Sequence, residues 1–187
     1  PYLENNKGML DSNMMNNFFL DCRQNMNNPK FYKLFRTEVS KLKKNFELNS
    51  NTVINQQSQY FKDLKPFLDF ILMDDIELMK KNFSEIIKSF LKINNERTFE
   101  SMTIGAKIDL VYSLIDYNPN FRDEIDKKNK PFNILRDIKH LHFASQSKYY
   151  VTGDDTSYKK SKFVVEVLDL KTKVLTMSEL INKIDMC

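Results

Sequence analysis

Three aspartates stand where apolar sequence gives way to polar sequence, and acids in such positions can bind metal ions. Asp137 lies early in a segment with helical periodicity, and Asp154 closely follows the short apolar run Tyr149–Val151. Asp11 follows an apolar residue and precedes small polar residues, among them Asn13. In α/β folds the carboxyl ends of parallel strands meet at one edge of the sheet. The spacing therefore predicts that acids from separate parts of the chain converge on one site.

Carboxylates gathered in this way favour a divalent cation. Several clustered carboxylates are costly to keep ionised unless a cation neutralises their repulsion. Mg²⁺ and Mn²⁺ prefer oxygen ligands, and Mg²⁺ keeps several waters while it is bound by a few carboxylates. We therefore expect Mg²⁺ or Mn²⁺ at a site formed by Asp11, Asp137 and Asp154. Asp155 is either an auxiliary ligand or the N-cap of the helix that follows.

The elements that must position these acids are clearest in the last third of the chain. Helices are predicted at 133–146, 156–162 and 178–184, and strands at 149–151, 163–168 and 174–175. This alternation implies right-handed crossovers onto a parallel sheet. Thr176 or Ser178 offers a cap for the last helix.

The earlier part of the chain is predicted to be mostly helical. Apolar residues at helical spacing predict helices at 13–26, 31–42, 76–93 and 101–115. Two further helices are predicted to begin at about Val53 and at Pro66. Short strands are predicted at 8–10 and 46–48. The stripes of methionine and phenylalanine in these helices indicate packing rather than chemistry.

Composition limits the function only broadly. The 187 residues are 41% hydrophobic, which suits one globular domain, and the net charge of +4 permits an anionic partner without requiring one. Apolar runs are far shorter than the roughly 18 residues that a membrane helix needs. Cys22 and Cys187 have neither metal-site spacing nor a disulfide pattern, so we expect a protein of the reducing cytoplasm with no membrane partner.

The acids and their surroundings resemble the motifs of the PIN-domain nucleases. The first strand of that family is similar to Met9–Met14, and the helix that its third acid opens is similar to Asp137–Ala144. The strand that carries its last acid resembles Tyr150–Asp154, and its closing strand and helix resemble Val174–Leu180. The similarity is strongest in the C-terminal part, residues 131–187.

This resemblance implies an α/β, PIN-like three-layer fold. A short central parallel sheet would have helices on both sides, together with a large helical middle section. The chain would form a single PIN-like domain over 1–187, with 30–130 as a helical insertion and 131–187 as the half that carries the acidic motifs.

The resemblance also implies a metal-dependent endoribonuclease, a toxin or defence effector that hydrolyses RNA. Asp11, Asp137 and Asp154 would be catalytic metal ligands. Asn13 and Thr152 would support them, and His140 shares a helix face with Asp137. Lys159, Lys160 and Lys162 either hold the RNA backbone or form a solvated helix face. An antitoxin or another protein partner is compatible with this function.

Two alternatives follow from the residues themselves. The family usually has a glutamate early in the helix after its second strand, whereas the matching region here contains the amides Asn55, Gln56 and Gln57. Loss of that acid would weaken metal binding, which favours a non-catalytic module that binds RNA or protein. Arg136 and His142 also resemble the Arg-x5-His motif of the all-helical HEPN ribonucleases, which use no metal. The valine-rich segments after residue 148 favour the PIN interpretation.

Overall fold

The computed structural model describes residues 28–34, 36–37, 41, 66, 69–70, 73–93, 98–126 and 129–185. Its elements are α1 (Ile76–Ile93), a 3₁₀ turn (Phe99–Ser101), α2 (Ile104–Ile115), α3 (Pro131–Ala144), β1 (Tyr149–Val151), α4 (Asp155–Val167), β2 (Lys173–Leu175) and α5 (Met177–Asp185). Before α1, residues 29–34, 36–37, 41, 66 and 69–70 are helical. Among these helices, none is both long and apolar enough to cross a membrane. The predicted elements at 8–10, 13–26, 46–48 and from Val53 lie outside the described residues.

The two strands form a small parallel sheet, and α4 connects them. Tyr149 is paired with Lys173 and Val151 with Leu175. The chain is therefore a mixed helix and strand protein with a parallel sheet, as the sequence predicted. Both strands, α1, α3 and α5 also lie close to their predicted positions, because each has clear apolar periodicity or a clear boundary.

The predicted strand at 163–168 is wrong, because these residues complete α4. Valine-rich sequence favours strands locally, but tertiary packing decides the outcome here. The ring of Phe163 lies edge-on to Phe83 and Phe121, with centroid distances of 5.2 and 5.0 Å. The helix then ends in a Schellman motif, in which Leu170 N donates to Val165 O at 2.9 Å. A strand would remove Phe163 from this aromatic cluster.

The helices of the middle section share one core with the β1–α4–β2 unit. Both α1 and α2 pack on α4, and α2 also packs on α3. Buried Phe83 and Tyr112 belong to the same hydrophobic cluster as Phe163 and Val174. The helices α1 and α2 therefore help to position the C-terminal half.

The short last helix is fixed by the predicted cap. Thr176 N donates to Glu179 Oε2 at 2.7 Å, and Glu179 N donates to Thr176 Oγ1 at 3.2 Å. This reciprocal pair is a capping box, and it starts α5 directly after β2. Of the two predicted caps, Thr176 is the one that the structure uses.

Candidate functional site

Asp137 lies on α3 at the margin of the helix face that is packed into the protein. Ile134, Ile138 and Leu141 are buried on that face, whereas Asp137 is half-buried. Burial, together with the negative charges of Asp123 and Asp154, raises the pKa of the Asp137 carboxyl. Asp123 and Asp154 are thus the two acids whose negative charges act on Asp137.

Asp154 follows β1 and forms the N-cap of α4. Its Oδ1 accepts a hydrogen bond from Ser157 N at 2.6 Å, and its own N–H donates to Thr152 Oγ1 at 3.3 Å. Thr152 N in turn donates to Leu175 O at 3.1 Å, so the loop is tied to β2. Thr152 thus helps to position Asp154. The N-cap role considered for Asp155 belongs to Asp154, because Asp155 is the exposed first residue of the helix.

Five buried or half-buried side chains form a group of ion pairs joined by a tyrosine hydroxyl; we call it the buried ion cluster. Its members are Tyr32, Arg36, Asp116, Asp123 and Lys160. Lys160 is completely buried, and its Nζ lies 2.6 Å from Asp116 Oδ1 and 2.5 Å from Asp123 Oδ2. Arg36 and the Tyr32 hydroxyl both donate to Asp116 Oδ2, and Arg36 Nη1 donates to Asp123 O at 2.6 Å. The cluster connects the helical residues before α1 to α4 and to the segment after α2.

The two acids of this cluster respond differently to their surroundings. Burial alone would raise the pKa of Asp116, but the charges of Lys160 and Arg36 and the hydrogen bonds to it lower that pKa below its usual value. For Asp123 burial prevails over the charge of Lys160, and the pKa is raised. The surroundings of Asp116 therefore favour its ionised form, whereas the surroundings of Asp123 disfavour its ionised form.

Lys160 is withdrawn from the predicted RNA surface, because its side chain is enclosed and paired with two carboxylates. Lys159 and Lys162 are exposed on α4, and Lys162 Nζ lies 5.6 Å from the centre of the Tyr158 ring. Those two lysines keep the exposure that an RNA contact needs. His140 is exposed on α3.

Arg136 and His142, the pair that suggested a HEPN nuclease, lie on different faces of α3. Six residues of α-helix turn through about 600°, which places the two side chains about 120° apart. Arg136 is exposed, whereas His142 is packed against α2, where a Cβ added to Gly105 would lie 2.5 Å from His142 Cε1. This placement favours a packing role for His142.

We expect Gly105→Ala to stabilise the protein more in a His142→Ala background than in the wild-type chain. Alanine in a helix is favoured over glycine by about 1 kcal/mol, but in the wild type the new methyl group meets the imidazole. Urea unfolding of the four proteins should give a coupling energy of at least about 0.5 kcal/mol. An equal effect of Gly105→Ala in both backgrounds would contradict the contact.

The donor atoms near Asp137 suit Mg²⁺ or Mn²⁺ because they are carboxylate oxygens. The cap hydrogen bond uses Oδ1 of Asp154, so it is compatible with a ligand at Oδ2. Over the residues that the structure describes, no three His, Cys, Asp or Glu side chains are grouped closely enough for a metal ion. Asp11 and Asn13, which the sequence predicted to belong to this site, lie outside the described residues.

Comparison with protein-family models, with curated proteins and with solved structures finds no match to this chain. The site must therefore be judged on its own residues.

The sequence analysis missed Asp116 and Asp123, and with them the buried ion cluster. One signal was present, because Asp116 directly follows the buried Leu114 and Ile115 at the end of α2. A charged residue in the continuation of an apolar helix face requires a partner, since an unpaired buried charge is very costly. The partner itself is far away in the sequence.

Proposed function

We propose that the chain is a metal-dependent endoribonuclease of the PIN type. The observation that carries this proposal is the placement of Asp137 and Asp154 on either side of β1, where burial and the negative charges of Asp123 and Asp154 raise the pKa of Asp137. Two carboxylates that repel each other at neutral pH form a favourable site for a divalent cation. Asp11 belongs to the proposal as the third ligand.

A bound Mg²⁺ or Mn²⁺ would polarise the scissile phosphate and orient an attacking water. The chain's own residues supply the setting for that chemistry. Thr152 and the cap bond from Ser157 hold Asp154 in place. Lys160 Nζ binds Asp123 Oδ2 at 2.5 Å, and the negative charge of Asp123 acts on Asp137.

The remaining predictions from the resemblance belong to the same proposal. They are the three-layer arrangement, the single domain over 1–187, the cytoplasmic location, and a role as a toxin or defence effector with an antitoxin or other protein partner. RNA is the proposed substrate, and Lys159 and Lys162 are exposed in a way that is compatible with RNA contact.

Cleavage of a mixed pool of single-stranded and structured RNA tests the function. We expect the wild-type chain to cleave with Mn²⁺ or Mg²⁺ and to be inactive with EDTA. Asp137→Asn should lower the rate by about 100-fold or more, because losing several kcal/mol of transition-state stabilisation has at least that effect. Asp185→Asn, at an exposed position of α5, is the matched control and should stay near the wild-type rate.

His142→Ala separates the two nuclease mechanisms in the same assay. Cleavage that persists in EDTA and disappears in His142→Ala would replace the proposal with the HEPN mechanism. Binding without cleavage under every metal condition would favour the non-catalytic module that the amides at Asn55, Gln56 and Gln57 suggested.

A further inference from the structure

The exposed face of α3 carries aromatic and cationic side chains in one line, which we call the α3 stripe. Its members are Phe132, Arg136, Lys139, His140 and Phe143, and all five are exposed. Residues spaced by three or four positions lie on the same side of a helix, so these side chains form one continuous row. The row runs along most of α3, about 16 Å from Phe132 to Phe143 at 1.5 Å per residue.

Two features of the stripe indicate a ligand rather than solvent. Phe132 and Phe143 keep 55% and 73% of their surface exposed, although phenylalanine is normally buried. The Phe143 ring is also nearly parallel to the His142 ring, with centroids 5.8 Å apart and an interplanar angle of 10°. This pair offers an aromatic platform at one end of the row.

The charge of the stripe defines the ligand further. Arg136 and Lys139 are cationic, and no member of the stripe is acidic. Asp137, the half-buried acid of the proposed active site, directly follows Arg136 on α3 and lies at the margin of the stripe. An anionic chain that follows the row would therefore pass beside Asp137.

We propose that the α3 stripe binds single-stranded RNA, with phosphates on Arg136 and Lys139 and a base stacked on Phe143. Grooves for single-stranded nucleic acid combine cations for the backbone with aromatic rings for the bases. A duplex cannot use this surface in the same way, because its bases are paired and stacked internally. The choice of RNA rests on the proposed nuclease function, whereas the preference for an unpaired strand comes from the stripe.

A tryptophan at position 143 would report the stacking directly, because the chain contains no other tryptophan. In EDTA, which prevents metal-dependent cleavage, we expect saturable fluorescence quenching of Phe143→Trp by a single-stranded oligouridine. A duplex of equal length should quench much less. Ile184→Trp places the probe at an equally exposed position on α5 and should show no quenching. No response of Phe143→Trp to any oligonucleotide would overturn the proposal and would indicate a protein partner for this face.

Affinity measurements with a labelled oligouridine locate the surface. We expect Phe143→Ala to weaken binding by about 5-fold to 100-fold, from the usual contribution of one stacked base. The double variant Arg136→Gln/Lys139→Gln should weaken binding and reduce the slope of log affinity against log salt by about 1 to 2. Lys81→Gln/Lys88→Gln, at two exposed positions of α1, is the matched control; an equal loss of affinity in that control would overturn the proposal.

Asp137→Asn separates this inference from the nuclease proposal. If the stripe binds RNA, this variant should bind at least as tightly as the wild type in EDTA, whether or not the chain cleaves. Stripe-dependent binding without cleavage would support the inference and contradict the nuclease. Metal-dependent cleavage that is unaffected by the stripe variants would support the nuclease and overturn the inference.

Discussion

Replacement of Asp116 by alanine is expected to lower the free energy of unfolding by about 3–5 kcal/mol, the usual result of removing one partner from a buried ion pair. Asp116 is completely buried and binds Lys160, Arg36 and Tyr32 through its two oxygens. Without it, the Lys160 ammonium keeps only Asp123, whose pKa is already raised. The variant loses stability mainly because Lys160 and Arg36 stay buried without enough negative charge to balance them.

Urea unfolding followed by circular dichroism measures this effect. Asp109→Ala, at an exposed position of the same helix, is the control and should change stability by less than about 0.5 kcal/mol. Adding Lys160→Met to Asp116→Ala should recover part of the loss, because both charges are then absent. A change of under about 1 kcal/mol for Asp116→Ala would show that the cluster does not support the fold.

Asp116 also determines how the free energy of unfolding should change with pH. The folded-state pKa of Asp116 is lower than its unfolded value of about 3.9. Its contribution to stability is therefore present above pH of about 4 and is lost as the pH falls toward the folded-state pKa. We expect the stability difference between wild type and Asp116→Asn to shrink below pH of about 4. A difference that stays constant with pH would contradict the lowered pKa.

Replacement of Asp154 by asparagine is expected to abolish cleavage while leaving the fold intact. Asparagine caps helices about as well as aspartate, so the hydrogen bond from Ser157 N can persist. The negative charge is lost, however, and with it a proposed metal ligand. We expect the cleavage rate to fall by about 100-fold at an unfolding free energy within about 0.5 kcal/mol of the wild type.

Asp154→Ala gives the complementary result, because it removes the cap as well as the charge. It should lower stability by about 1 kcal/mol in addition to the loss of cleavage. Rates and urea midpoints measured on the same preparations separate the two roles. Cleavage at the wild-type rate by Asp154→Asn would mean that Asp154 is only a helix cap.

The fold could be predicted where local sequence and packing agree. For α1 (Ile76–Ile93) the apolar spacing alone predicts both ends, and for β1 (Tyr149–Val151) the flanking polar residues do so. In α4 the valines of 163–168 favour a strand locally, whereas contacts between Phe163 and rings distant in sequence favour a helix. Such contacts cannot be read from spacing along the chain.

That error also explains the assignment of Lys160 to the surface. The predicted helix ends at residue 162, so Lys160 is assigned to a short basic segment. In the structure the helix continues to Val167, and Lys160 lies on the same face as Ser157 and Val164, which are both buried. Its partner Asp116 is 44 residues earlier. Asp137 and Asp154, by contrast, flank one short strand, so local sequence is sufficient to suggest them as a pair.

Titration of the metal-free chain with Mn²⁺, followed through the electron paramagnetic resonance signal of the free ion, tests the central claim that Asp137 and Asp154 form a divalent-cation site. Without RNA present, the measurement isolates metal binding from substrate binding. We expect saturable binding by the wild type and an affinity at least about tenfold lower in Asp137→Asn, which corresponds to about 1.4 kcal/mol. Asp185→Asn, at an exposed position of α5, should bind like the wild type. Equal Mn²⁺ binding by the wild type and Asp137→Asn would contradict the account.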